Sequence, residues 1–104
     1  MSEPCIRVTC YSVRGLPEDD VNSQVWKLDI EWRGPGDRWA VLHLSRCLSV
    51  DGTWDFEPSP SNRDADFIAR HRYTLEEAKA LAIEHYPKLV INGLRVEDGK
   101  LVRA

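Results

Sequence analysis

The chain has 104 residues, 42% of them hydrophobic and 30% charged, with 14 Lys and Arg set against 17 Asp and Glu for a formal net charge of −3 at pH 7. That length bounds the chain to a single domain, residues 1–104, around one core, and the balance of apolar and charged residues excludes wholesale disorder. A negative total also disfavours a nucleic-acid binder, which needs a positive field facing the phosphates, although a local basic patch escapes such a sum.

No apolar run reaches the length of a membrane-spanning helix, and the opening residues MSEPCIRV lack a basic segment followed by an apolar one. The expectation is a cytoplasmic protein with no membrane partner. Cys5, Cys10 and Cys47 are odd in number and have no paired spacing of the zinc-ligand kind, so buried, reduced thiols are expected. Adding His43 completes a set of four possible ligands, but nothing in the spacing brings them together.

In chain order, residues 5–13 alternate as a strand, with Ile6, Val8 and Cys10 on one face. The segment 15–23 carries Gly, Pro and the acidic run Glu18-Asp19-Asp20, and reads as an exposed loop with a solvated edge. Residues 25–33 alternate more cleanly: Trp26, Leu28, Ile30 and Trp32 face one way, and Lys27, Asp29, Glu31 and Arg33 the other. Turn material at 34–37 then leads to a second strand over 38–47, which predicts a hairpin. Pairing Leu28 with Leu42 and Ile30 with Ala40 places these residues on the inner face and turns Trp39, Val41 and His43 outward. An uncovered outer face would make Trp39 and Val41 a surface for protein contact, whereas a C-terminal element lying over it would make them core.

Beyond Asp51-Gly52, a strong turn signal, Trp54 and Phe56 alternate with Asp55 and Glu57 in a short strand that ends at Pro58. Pro58, Pro60 and the polar residues between them favour turns, and residues 63–70 suit one or two helical turns anchored by Phe67 and Ile68. The strongest element is a helix over 75–86. Thr74 and Glu77 have the spacing of a capping box, and Tyr73 can staple against Ala78. Leu75, Ala78, Leu81, Ala82 and His85 recur at helical spacing, Glu76, Lys79 and Glu84 face water, and Pro87 ends the run. Asn92-Gly93 and Asp98-Gly99 then mark turns between short terminal strands.

The sequence carries no recognisable catalytic residue set, metal site or cofactor motif. There is no nucleophile-elbow sequence, and the cysteines lie in no catalytic pattern. Gly34-Pro-Gly36 joins two antiparallel strands rather than opening a helix, so it is not a phosphate cradle. Asp55 with Glu57 and Asp64 with Asp66 are pairs too common to define a hydrolase or metal centre. The one local basic cluster is Arg63 with Arg70, His71 and Arg72. It suits either phosphate or RNA contact, with Trp54 or Tyr73 for stacking, or an ion-pair network that locks the connector to the helix.

The stretch GTWDFEPSPSNRDADF, followed by ARHRYTLEEAKALA, Pro87 and Asn92-Gly93, resembles small uncharacterised proteins encoded by actinobacteria and their phages. The similarity covers the second half of the chain. It implies an accessory protein of such a source and carries no activity with it.

The expected fold is α+β: an antiparallel sheet of three to four strands, one main helix from the C-terminal half packed on one face, and short terminal strands. The leading functional expectation is a non-enzymatic interaction module that binds a protein partner or itself through Trp39, Trp54, Phe56, Arg63, Arg70, His71 and Arg72, since Trp, Tyr and Arg most often anchor interfaces. The alternatives are a nucleic-acid-binding module using Arg63, Arg70 and Arg72, and a small metal-dependent hydrolase using the central acids with His71.

Overall fold

The structure is a computed structural model and describes residues 3–104. The first two residues of the opening segment read for a leader lie outside the described residues. Among the latter, the elements run β1 (Cys10–Arg14), β2 (Lys27–Trp32), β3 (Trp39–His43), β4 (Arg46–Leu48), β5 (Trp54–Phe56), α1 (Ala65–His71), α2 (Leu75–His85), β6 (Leu94–Glu97) and β7 (Lys100–Arg103). Short 3-10 turns lie at Val21–Gln24, Pro60–Asn62 and Tyr86–Lys88.

The α+β class holds, with an antiparallel sheet and a C-terminal-half helix packed on it. The sheet is larger than three to four strands: β1 to β5 form a five-stranded meander in sequence order, and β6 and β7 pair separately as a hairpin. The extra strand comes from the run 38–47, which is two strands rather than one. Leu44 takes a φ of 56° and the chain reverses so that His43 pairs with Arg46. Leucine is not a residue that favours such a conformation, so the turn left no mark in the pattern.

The first strand is also shorter than its alternation, starting at Cys10 and leaving Ile6 and Val8 exposed. The preceding arm still touches the sheet: Trp32 N–H donates to the Thr9 carbonyl at 2.8 Å, and the Arg7 guanidinium lies 4.3 Å from the centre of the Trp32 ring. Cys5 and Cys10 are exposed, so only Cys47 meets the expectation of a buried thiol.

The β2–β3 hairpin is present, but its register differs by one residue from the expected one. Ile30 pairs with Val41 and Asp29 with Leu42, so Trp39 and Val41 share a face with Leu28 and Ile30, while Ala40 and Leu42 turn to the other side. Both faces of β3 are buried. Leu28, Ile30, Trp39, Val41 and Leu48 form the main core with Ala78 and Ala82 of α2, and Ala40, Leu42 and Cys47 form a second cluster covered by Phe67 of α1. Trp39 is therefore a core residue, only 6% exposed. Tyr73 closes over it, exchanging backbone hydrogen bonds of 2.8 and 2.9 Å with it.

Local chemistry sets the helix starts. Asp64 accepts from Phe67 N–H to cap α1, and Thr74 and Glu77 form the reciprocal capping box of α2. Lys79, expected in water, is half-buried with its ammonium 5.1 Å from the Tyr11 ring centre. Two tyrosine hydroxyls then tie the layers together. Tyr86 donates to the Trp26 carbonyl and accepts from Gly15 N–H, both at 2.7 Å, and Tyr73 donates to the Leu48 carbonyl at 2.9 Å.

Candidate functional site

Alternation along β5 sends neighbouring side chains to opposite faces of the sheet. Asp55 points toward α1, and Glu57, just past the strand, lies on the same side. Glu57 is the hub of an ion-pair network and its side chain is 10% exposed. Arg72 Nη2 donates to its Oε1 at 2.7 Å, Arg33 Nη2 to its Oε2 at 3.0 Å, and Arg63 stands 3.8 Å away. Burial alone would raise the Glu57 carboxyl, but the Arg33 hydrogen bond and the charges of Arg33 and Arg72 outweigh it and hold the group below its ordinary value. Arg63 Nε also donates to the Pro58 carbonyl at 2.8 Å, which fixes the proline-rich connector against its own end.

Above this hub, Arg33, Arg38, Arg63 and Arg72 line a single pocket of about 180 Å3 together with Gly34, Pro60 and Ile68. Glu57 and, at 3.6 Å from Arg33, Glu31 offset part of this charge. Arg38 has no carboxylate partner among the described residues and is exposed. Several guanidiniums around one concave site form a fork-shaped donor array that matches carboxylate or phosphate oxygens.

Of the residues singled out in the sequence, Arg63 and Arg72 meet in this pocket and the others do not. Arg70 points to the 49–53 turn, where it pairs with Asp51 at 3.0 Å. Hydrogen bonds from Thr53 and Ser49, with Arg70 beside them, lower the Asp51 carboxyl to about 2. His71 is buried, with Nδ1 2.7 Å from the Phe67 carbonyl and Nε2 2.8 Å from Asp55 Oδ2, and its ring stacks on Phe67 at 4.0 Å. Both partners are acceptors, so both ring nitrogens are engaged inside the fold. The basic cluster thus locks the connector to α1. Trp54 and Phe56 lie on the opposite face of the sheet, the first half-buried and the second exposed. Trp39, buried between Tyr73 and α2, cannot take part in a surface as long as the fold stands.

The central acids likewise have structural partners: Asp55 holds His71, Glu57 holds the arginines and Asp64 caps α1. Among the described residues no group of three or more His, Cys, Asp or Glu side chains is placed to share a metal ion. The buried Cys47 thiol is pushed up to about 11, first by burial and then by Glu57, so it stays protonated and unreactive.

Arg33 and Arg38 are the pocket-lining residues that sequence reasoning missed. They flank the turn at 34–37, and the hairpin geometry was the available signal: Arg33 N–H donates to the Arg38 carbonyl at 2.7 Å, and residues opposed across a hairpin share a face of the sheet. No helix among the described residues is long and apolar enough to cross a membrane. In comparisons with known proteins, no family model, no curated protein and no solved structure matches this chain.

Proposed function

We propose that the chain is a non-catalytic interaction module that holds an acidic segment of a partner protein in its arginine-lined pocket, as an accessory protein of the actinobacterial or phage kind that its second half resembles. The observation that carries this reading is the convergence of Arg33, Arg38, Arg63 and Arg72 on one cavity over the half-buried Glu57 carboxylate. Paired guanidiniums recognise carboxylates bidentately, and arginine is among the residues that most often dominate interface energy. The net charge of −3 favours a compact acidic peptide over a long polyanion, whose approach the rest of the surface opposes.

Fluorescence anisotropy with a labelled poly-glutamate peptide tests it, with the matching poly-glutamine peptide and an oligouridine RNA as comparisons. The glutamate peptide is expected to bind and the glutamine peptide not to. Arg38→Gln removes an exposed guanidinium without touching the Glu57 network and is expected to weaken binding about tenfold, ~1.4 kcal/mol. RNA binding tighter than the peptide at equal salt would replace this reading with the nucleic-acid one, and no binding of either would remove the pocket from consideration.

A further inference from the structure

On the opposite face of the sheet, β3, β4 and β5 bring His43, Arg46 and Trp54 against His85 at the end of α2 and Lys88 in the 3-10 turn that follows. With Leu89 these side chains wall a cavity of about 310 Å3. Ligand pockets begin at roughly 300 Å3, so this one has room for a ligand of one ring and one head group.

Trp54 stands between the two imidazoles, its ring centre 6.3 Å from that of His43 and 6.5 Å from that of His85, both in edge-on arrangement. His43 Nε2 lies 3.1 Å from the Val25 carbonyl, which only accepts, so that nitrogen carries its proton and is occupied. The Arg46 guanidinium sits 5.6 Å from the Phe56 ring centre and has no carboxylate partner among the described residues. Lys88 has Glu84 as its acidic neighbour among the described residues, at 3.9 Å on the open surface. Among the described residues no acidic side chain lines the cavity. A guanidinium, an ammonium, two imidazoles and an indole around one hollow supply cationic donors at the rim and an aromatic wall within, which is the complement of a flat ring carrying an anionic group.

We infer that this cavity is a binding site for a small aromatic anion, a planar ring bearing a carboxylate or a phosphate, with Trp54 contacting the ring and Arg46 and Lys88 the head group. The site is separate from the arginine pocket and does not depend on the protein partner proposed for it.

Titrations followed by two-dimensional NMR, with benzoate, phenyl phosphate, cyclohexanecarboxylate and inorganic phosphate as probes, test the inference. Benzoate or phenyl phosphate is expected to shift the Trp54 indole N–H and the His43 and His85 ring signals saturably, and the tighter of the two identifies the head group. Arg46→Gln, at an exposed position, is expected to weaken that binding at least fivefold, whereas Arg38→Gln in the other pocket leaves it unchanged. The inference is overturned if neither aromatic probe saturates, if cyclohexanecarboxylate or inorganic phosphate binds as tightly as its aromatic counterpart, or if Arg38→Gln rather than Arg46→Gln abolishes the response.

Discussion

Glu57 shows how one side chain can order a connector that has almost no regular structure. Its carboxylate faces Arg33 from the β2–β3 hairpin, Arg63 from the end of the connector and Arg72 from beyond α1, so three distant segments meet at one charge. Glu57→Gln would leave the Arg72 guanidinium, 7% exposed in its side chain, without its counter-ion. Breaking a buried pair from one side costs more than the pair itself contributes, and because Glu57 is half-buried the expected loss is at the low end for such pairs, about 3 kcal/mol in chemical denaturation. The same carboxylate gives a pH dependence of defined sign. Its folded value lies below its ordinary 4.5, so its contribution is complete above that value and is lost as the pH falls through the folded one. Melting temperatures measured from pH 6 down to pH 3 are therefore expected to fall more steeply for the native chain than for Glu57→Gln, and parallel curves would assign the acid sensitivity to other groups. The clustering of Arg63, Arg70, His71 and Arg72 was visible in the sequence, yet their partners were not: sequence proximity suggested one shared surface, and side-chain direction sends Arg70 to Asp51 and His71 into the interior.

At the scale of elements, what the sequence displays most plainly is whatever is decided within a few residues. The capping box of α2 needs only Thr74 and Glu77, and both reciprocal bonds are made, at 3.2 Å from Glu77 N–H to Thr74 Oγ1 and 2.9 Å from Thr74 N–H to Glu77 Oε1. Asp37 Oδ1 accepts from the next free amide, Leu75 N–H, at 3.0 Å, and so fastens the hairpin turn to the same helix end. Thr74 is exposed and belongs to neither hydrophobic cluster of the described residues, so Thr74→Ala isolates the cap and is expected to cost about 1 kcal/mol in thermal unfolding. The turns at Asn92-Gly93 and Asp98-Gly99 were equally legible, since all four residues adopt the positive φ that Asn, Asp and Gly tolerate best. In the turn at Leu44-Ser45 the positive φ falls on Leu44, an unfavourable residue for it, and for that reason a strand boundary was hidden.

For the molecule as a whole, the decisive feature is that the sheet is covered on both sides at β3. Alternation locates a half-buried strand by its polar face, but Ala40-Val41-Leu42 has none, because α2 takes one side and Phe67 of α1 the other. Either register satisfies such a run locally, and the choice of one over the other moved Trp39 from a presumed surface to the core. Val41→Ala and Leu42→Ala are accordingly both expected to destabilise the protein, each by about 1–3 kcal/mol in denaturant titrations, whereas a sheet with one solvated face would make one of them nearly neutral. Secondary-structure type, the α2 boundaries, the glycine turns and the absence of long apolar runs were settled by the sequence alone, because propensity, capping and turn chemistry act over short stretches of chain. The register of β3, the union of Arg33 and Arg38 with Arg63 and Arg72, and the meeting of His43 with Trp54 and His85 were decided only by tertiary packing, because each joins residues whose proximity depends on which layer covers which face.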